Sequence, residues 1–208
     1  MIVNFNQQNV EIIKQQEWER KPIFSCSTLP EEIQNDMKGK SLPENAQIDT
    51  ENLAYVTVSY YGFDEKLHQG EIVVHQKLGE EVVEIFKELY EKKYPIEKVE
   101  RIDQYDANDV KSMEANNSSG FCYRLVEGTN RLSNHAKGCA IDINPLQNPQ
   151  IKNGIVYPSV SEKFANRENR EKGMIEKGDA VYQAFIKRGW KWGGEWKNPD
   201  YQHFEKEI

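Results

Sequence analysis

Two segments of the chain carry side chains that could hold a metal ion and act on water. Residues 133–142 contain His135 and Asp142, and a segment near the C-terminus contains Asp200 and His203. Two imidazoles and one carboxylate suit Zn²⁺, and three protein ligands leave a fourth coordination position open for water. Asp200, three residues before His203, is a spare carboxylate that could act as an acid or base. These residues predict a hydrolytic site in which His135, Asp142 and His203 bind one zinc ion.

Each of these residues also has an ordinary alternative. A single histidine such as His135 is more often a surface or core residue than a ligand. Asp142 differs, because an aspartate in the sequence Ala-Ile-Asp-Ile is poorly suited to a strand and costly to bury. We interpret His68 and His75 as ordinary surface residues. Glu195 is a rival to Asp200 as the base, although no motif selects it.

The pattern around Asp142 predicts how it is positioned. Residues 138–145 are expected to form a central strand that ends at Pro145. Period-two alternation puts Cys139, Ile141 and Ile143 on one face and Asp142 on the other. Because the apolar face points to a core, Asp142 is expected to face a cleft. His203 would then come from a second strand or loop folded back beside the first.

The remaining elements predict one α+β domain. Alternating residues over 56–61 indicate a half-buried strand, with a neighbour over 70–74. Apolar spacing predicts helices over 80–93 and 179–189, and Pro30 suits the start of a shorter one. The order of these elements favours a mainly antiparallel central sheet with flanking helices.

Two further segments complete the predicted organisation. The Asp/Asn/Ser-rich residues 106–119 are expected to be a surface loop. Residues 1–50 are predicted to be a polar extension or lead-in, and residues 51–208 to be the catalytic domain.

Composition restricts the class of protein. The 208 residues are 38% apolar, enough for one sizeable core. The net charge is −7 with no basic block, so we expect no nucleic-acid partner. No run of 18 apolar residues occurs, so we expect no transmembrane segment. Cys26, Cys122 and Cys139 are odd in number and lack paired spacing, which argues against a disulfide scaffold.

The two chemical segments together resemble a known family. The pattern Ser-x-His-x-x-Gly-x-Ala-x-Asp over 133–142, followed by Asp-x-x-His-Phe-Glu over 200–205, is similar to the D-alanyl-D-alanine peptidase family of zinc metallopeptidases. That family includes vancomycin-resistance D,D-dipeptidases, D,D-carboxypeptidases and L-alanyl-D-glutamate endopeptidases. Shorter matching pieces lie at 94–96, 121–124 and 192–196. The resemblance implies a hedgehog/D,D-peptidase-like fold from about residue 53 to the C-terminus.

The resemblance also implies roles for single residues. His135, Asp142 and His203 would bind zinc, and Asp200 would be the general base. Arg124 would contact the substrate carbonyl and stabilise the developing oxyanion, and Ser133 would lie near the bound peptide. The D,D-dipeptidases have glutamate where this chain has Asp200, and we associate the aspartate form with the endopeptidase branch.

Weaker predictions, based on side-chain type alone, concern three tryptophans and Glu205. Trp192, with Trp190 and Trp196, could line the cleft and contact substrate, although core packing is the commoner fate of aromatic side chains. Glu205 could orient a ligand imidazole from behind the metal, or it could be an ordinary surface charge.

Several functions follow as hypotheses. The first is a zinc peptidase acting on peptidoglycan or its peptide fragments, more precisely an L-alanyl-D-glutamate endopeptidase. The alternatives are a D-alanyl-D-alanine carboxypeptidase or dipeptidase, a non-catalytic zinc-binding module, and a binding domain without metal. A non-catalytic site would not need Asp200 and Arg124. The substrate predicts an extracytoplasmic or cell-wall location, whereas the N-terminal residues show no signal-peptide pattern, which leaves the cytoplasm as the alternative.

Overall fold

The computed structural model describes residues 21–126 and 128–208. The helices of the described residues are short apart from one of 13 residues. The strands are β1 (Ser25–Thr28), β2 (Leu53–Tyr61), β3 (Leu67–His75), β4 (Lys98–Val99), β5 (Asn117–Ser118), β6 (Ala140–Asp142), β7 (Gln150–Lys152), β8 (Ile155–Tyr157), β9 (Lys191–Trp192) and β10 (His203–Glu205). The α-helices are α1 (Glu31–Met37), α2 (Gly79–Glu91), α3 (Asp109–Glu114) and α4 (Ala180–Ile186).

A three-stranded antiparallel sheet of order β1-β2-β3 forms one part of the domain. Val56, Val58 and Tyr60 are buried, as the alternation over 56–61 predicts. Helix α2 packs against this sheet with an apolar face that includes Val82 and Phe86, and it confirms the predicted helix to within two residues at each end. Burying that face supplies most of the stability of such a helix, because helix propensity alone is weak.

The second sheet has the order β6-β10-β9 and is also antiparallel. Its apolar side joins the same core as α2, and Phe204 of β10 stacks on Phe185 of α4 with ring centroids 4.0 Å apart. Helix α4 is shorter than the predicted 179–189 and begins where the Asp179 side chain accepts a hydrogen bond from Tyr182 N. Such a cap satisfies a backbone donor that the first helical turn would otherwise leave free.

The domain is α+β, but the predicted single central sheet is replaced by several small ones. Besides the two three-stranded sheets, β4 and β5 form a parallel pair and β7 and β8 an antiparallel pair. The irregular segment over residues 119–121 connects the two larger sheets. Phe121 N donates to Val73 O of β3 at 2.8 Å, and Ser119 is bridged to Asp142 of β6. A Cβ at Gly120 would lie 2.4 Å from Val73 O, so this close approach requires glycine.

The predicted surface loop over residues 106–119 is wrong. It contains α3 and β5, and Asn117 is almost fully buried. Its polar residues are satisfied internally: Asn108 caps α3 by accepting from Lys111 N, and the Asn117 amide donates to Glu100 O and Ser112 Oγ. Asp, Asn and Ser are typical of helix caps as well as loops, which explains why composition misled the prediction.

The described part of the predicted lead-in belongs to the same fold. Strand β1 pairs with β2, and Leu29, Met37 and Leu42 are buried in a cluster with Phe121. The predicted boundary at residue 50 therefore does not separate residues 21–50 from the domain. Residues 1–20 of that lead-in lie outside the described residues. In the part of the chain that is described, no helix has the length and apolar character needed to cross a bilayer.

Candidate metal centre

The pairing of β6 with β10 brings two of the predicted ligands together. His203 lies directly opposite Asp142 in the antiparallel register. Directly opposed side chains share one face of a sheet, and their Cβ atoms are about 5 Å apart. The other face of the same strands carries Ile141 and Phe204, which are fully buried in the core. The second strand expected beside Asp142 is therefore β10.

His135 comes from the tight turn that precedes β6. Residues His135–Lys137 form a short 3₁₀ turn that ends at Gly138, whose φ of 67° lies in the left-handed region. Ser133 Oγ accepts a hydrogen bond from His135 N, and His135 Nδ1 is 2.7 Å from Gly120 O. That contact occupies one ring nitrogen, which leaves Nε2 directed toward Asp142.

The three donor groups converge. His135 Nε2 lies 3.2 Å from Asp142 Oδ2, and His203 Nδ1 lies 3.0 Å from Asp142 Oδ1. The two ring nitrogens, His135 Nε2 and His203 Nδ1, are 3.2 Å apart. In a tetrahedral zinc site with bonds of 2.0–2.1 Å, neighbouring ligand atoms are roughly 3.3 Å apart. The donor set and its spacing therefore fit a zinc ion, and all three side chains are buried.

The electrostatics of these side chains also favour a cation. Burial opposes ionisation of Asp142, but the two histidines outweigh it and hold the pKa of this carboxyl well below its usual range. Burial lowers the pKa of His203, but the hydrogen bonds to Asp142 and Glu205 and the charges of the nearby carboxylates together outweigh it and raise that pKa to about 10. The cluster thus stabilises positive charge at its centre, the condition a bound metal cation would satisfy.

A further carboxylate lies behind His203. Glu205 Oε2 is 3.3 Å from His203 Nε2 and accepts a hydrogen bond of 2.6 Å from Asn134 Nδ2. The hydrogen bond from His203 is the main reason that the pKa of Glu205 falls to about 2. Histidines that bind metals usually donate their second nitrogen to such a partner, which fixes the orientation of the ring.

Asp200 is buried beside the three ligands. Its Oδ2 accepts a hydrogen bond of 2.8 Å from Gln150 Nε2, while its Oδ1 has no hydrogen-bond partner in the described residues. Burial raises the pKa of Asp200 to about 6. Gly193 leaves room for the backbone of Asp200, because a Cβ at position 193 would lie 2.6 Å from Asp200 O. A carboxylate with a free oxygen and a pKa near neutrality is suited to accept and return a proton.

The charged guanidinium of Arg124 lies near the same group of carboxylates. One guanidinium nitrogen, Nη2, is 3.0 Å from Asp109 Oδ2, and Nε is buried with no hydrogen-bond partner in the described chain. Burial lowers the pKa of Arg124, but the nearby carboxylates, Asp109 before Asp142, outweigh it and raise that pKa. Arg124 therefore stays charged and keeps a donor available.

These side chains line one cavity of about 590 Å³. The cavity brings together seven of the eight residues that the sequence singled out for the site. They are Arg124, Ser133, His135, Asp142, Asp200, His203 and Glu205. A volume of this size is typical of ligand-binding clefts.

Trp192 is the predicted site residue that the structure does not bring to the cavity. It is 6% exposed, its Nε1 donates to Tyr201 O at 2.8 Å, and its ring stacks on Phe204 in the core. Trp196 lines the cavity instead, is 40% exposed and lies 5.4 Å from the His203 ring. We correct the prediction accordingly: Trp196, and not Trp192, lines the cavity. The rival base Glu195 forms an ion pair with Lys177.

Three contributing residues were missed by the sequence analysis. Asp109 pairs with Arg124, Gln150 holds Asp200, and Asn134 holds Glu205. Asn134 lies inside the ligand motif, so its position could have been a signal. Asp109 was assigned to a surface loop, and Gln150 reaches Asp200 only because β7 is bridged to the loop before β10.

Comparison with known proteins bears on one part of the chain. Residues 127–206 match the model of a family described as D-alanyl-D-alanine carboxypeptidase. This confirms the resemblance seen in the sequence over a segment that contains His135, Asp142, Asp200 and His203. The segment is less than half of the chain, and Arg124 lies just outside it. No curated protein and no solved structure matches.

Proposed function

We propose that the protein is a zinc-dependent peptidase that hydrolyses peptidoglycan stem peptides. The observation that carries this proposal is the combination in one cavity of three candidate ligands with two atoms, Asp200 Oδ1 and Arg124 Nε, that have no hydrogen-bond partner among the described residues. The family match of residues 127–206 supports a peptidase. A peptidoglycan substrate implies an extracytoplasmic or cell-wall location, which is part of the proposal.

His135, Asp142 and His203 would hold the zinc ion. When bound, zinc supplies a Lewis acid and lowers the pKa of a coordinated water toward about 7. Asp200 accepts the proton of the attacking water through its free Oδ1, while Gln150 holds the other oxygen in place. The same carboxyl then returns the proton to the leaving amine. A raised pKa is suited to both steps, because the group must bind and release a proton near neutral pH.

Arg124 supports the same reaction by a different route. As the scissile carbonyl is attacked, negative charge develops on its oxygen, and the guanidinium donates hydrogen bonds to that oxygen. Asp109 holds the guanidinium by an ion pair of 3.0 Å and so limits its reorganisation during the reaction. Preorganised charge of this kind is often the largest single contribution to catalysis.

Within this class we propose L-alanyl-D-glutamate endopeptidase activity and a hedgehog/D,D-peptidase-like fold. Aspartate at position 200 supports the endopeptidase assignment, because we associate glutamate at that position with the dipeptidases. D-alanyl-D-alanine carboxypeptidase activity is the second candidate, and the description of the matching family favours it.

The rival from another class is a non-catalytic zinc module. Such a module needs the three ligands but gains nothing from a buried carboxylate with a free oxygen, which costs stability when it is left unpaired. Asp200 therefore argues for catalysis. The same residue is the variant that separates the two readings, since a structural zinc site would tolerate its loss.

Product identification tests the proposal. The zinc-loaded protein is incubated with purified muropeptides, and the new termini are identified by mass spectrometry. We expect a new N-terminal glutamate for the endopeptidase, whereas release of free D-alanine would establish the carboxypeptidase. A chelator should abolish cleavage and added zinc should restore it. Intact muropeptides in the presence of stoichiometrically bound zinc would refute the proposal.

A further inference from the structure

A second cavity of about 600 Å³ adjoins the metal centre. It shares Leu125, Arg131 and Leu132 with the first cavity. These residues belong to a hairpin in which Leu125 is bridged to Leu132 and Val126 N donates to Arg131 O at 2.8 Å. We refer to residues 125–126 and 131–132 as the cleft hairpin. Because the cleft hairpin lines both cavities, a long ligand could pass over it from one to the other.

The two cavities differ in charge. The second is lined by Arg131 and Lys137 and by no acidic side chain of the described residues. Neither cation forms an ion pair within the described part of the chain, and both are exposed. The first cavity carries both signs of charge, because the carboxylates of Asp109, Asp142, Asp200 and Glu205 lie there with the cations of Arg124, Arg131 and Lys152. The chain has a net charge of −7, so a concave surface whose charged lining among the described residues is entirely positive differs from the chain as a whole.

Neutral polar groups complete the lining of the second cavity. Asn45, Gln47 and Asn130 provide amides, and the Tyr123 hydroxyl accepts a hydrogen bond of 3.0 Å from Gln47 N. Tyr123 directly precedes Arg124, and Tyr123 N donates to Ser41 O at 2.9 Å. The segment around residues 41–47 is therefore attached to the chain that carries Arg124, so the wall of the second cavity is fixed relative to the metal centre.

We infer that the second cavity binds a carboxylate-bearing part of the substrate while the scissile bond lies in the first cavity. This inference rests on the proposed function and specifies its substrate class as an anionic peptide. Arginine and lysine bind carboxylates by charge-assisted hydrogen bonds, and the amides can accept or donate around them. Since the cations of the second cavity share it with no carboxylate of the described residues, its charge attracts an anionic part of the substrate.

A binding cycle tests the inference without requiring turnover. All proteins carry Asp200→Asn, and the second change is Arg131→Gln with Lys137→Gln. The probes are a stem tetrapeptide with free carboxylates and the same peptide with its carboxylates amidated, each titrated by calorimetry with zinc bound. We expect the double change to weaken binding of the free peptide about fivefold, as for the loss of two exposed charge pairs, and to leave the amidated peptide unaffected. In about 0.5 M salt the difference should nearly vanish.

Matched variants keep the result interpretable. Arg131→Lys with Lys137→Arg preserves both charges and should bind the free peptide like the parent, which excludes damage to the cleft hairpin. Lys77→Gln removes an exposed charge outside both cavities and should change nothing. Equal loss for the free and the amidated peptide, or no loss for either, would overturn the inference. Failure of the wild-type protein to cleave muropeptides would instead count against the proposed function, and the binding cycle remains measurable in that case.

Discussion

Two clusters of charged side chains lie in buried parts of this protein, and they differ in how fully their polar atoms are paired. In the first, Arg101 uses three of its nitrogens: Nη2 is 2.8 Å from Asp36, Nε is 3.2 Å from Glu71 and Nη1 is 3.4 Å from Asp103. Asp103 also accepts a hydrogen bond from Ser41 N. This cluster connects α1 and the segment around residue 41 to β3, and each of its three carboxylates is paired with Arg101.

The second cluster, at the metal centre, is left incomplete. Five buried side-chain atoms of the described residues have no hydrogen-bond partner, and three of them belong to the cavity-lining residues Arg124, Asp200 and Gln202. Unpaired buried polar atoms cost about 1–3 kcal/mol each, so their concentration at one place needs an explanation. We propose that the paired charges around Arg101 serve the fold, whereas the unpaired atoms of Arg124 and Asp200 serve catalysis.

The largest expected effect breaks the metal centre itself. His203→Ala removes one of three ligands, and we expect the protein to lose stoichiometric zinc and all detectable peptidase activity. Metal analysis by mass spectrometry after dialysis provides the measurement. His68→Ala is the control, because that histidine pairs with Asp64 near the surface and should keep both properties. Full zinc occupancy in His203→Ala would remove His203 from the ligand set.

The next effect separates catalysis from metal binding. Asp200→Asn keeps the shape of the side chain but removes its ability to accept a proton, so we expect kcat to fall about 10²- to 10⁴-fold with zinc retained. Glu195→Gln is the matched control, since Glu195 pairs with Lys177 rather than lining the cavity. Steady-state kinetics with zinc-loaded protein would check this. Comparable losses in both variants would mean that Asp200 has no special role.

A smaller effect, on zinc affinity, is expected from a change at Glu205, which contacts the candidate ligand His203. Glu205→Gln weakens the partner of His203 Nε2 while preserving the size of the side chain, and we expect zinc affinity to fall about 10- to 100-fold. Competition with a zinc-binding dye would measure the change. Glu84→Gln, which makes the same change at an exposed carboxylate paired with Lys87, should leave zinc affinity at the wild-type value. If Glu205→Gln bound zinc as tightly as wild type, Glu205 would be an ordinary surface charge.

The smallest expected effect on activity comes from a change in the cluster around Arg101. Arg101→Met leaves the buried Asp103 without its partner, and we expect the free energy of unfolding to fall by about 3 kcal/mol. Since Arg101 does not line the cavity, kcat of the folded protein should change less than about twofold. Urea denaturation and kinetics below the transition measure the two quantities. A large fall in kcat at unchanged stability would contradict the distinction drawn between the two clusters.

The sequence predicted most where periodicity and local chemistry agree. Helix α2 was predicted because its apolar residues recur at helical spacing, and the side of the strand that buries Ile141 was predicted by alternation. Prediction failed where polar residues are held by partners that lie elsewhere in the sequence. Asp109 and Asn117 looked like loop residues, because nothing nearby in the sequence indicates that Arg124 and Glu100 O would be their partners.

The tryptophans illustrate the same limit within a single short segment. Trp192 and Trp196 are four residues apart and chemically identical, yet one is buried against Phe204 and the other lines the cavity. The difference arises because Trp192 lies in β9, paired with β10, whereas Trp196 follows the turn that ends the strand. Aromatic character alone could not distinguish them.

The sequence by itself determined the chemical types of the candidate ligands and the side of β6 that carries Asp142, because residue type and two-residue alternation are local properties of the chain. Only the tertiary structure decided that His203 lies opposite Asp142, that Asp200 keeps one oxygen free and that Arg124 enters the same cavity. Those outcomes depend on strand register and on contacts between residues far apart in the sequence, 61 positions for His203 and Asp142 and 50 for Asp200 and Gln150, which are set by the packing of the whole core.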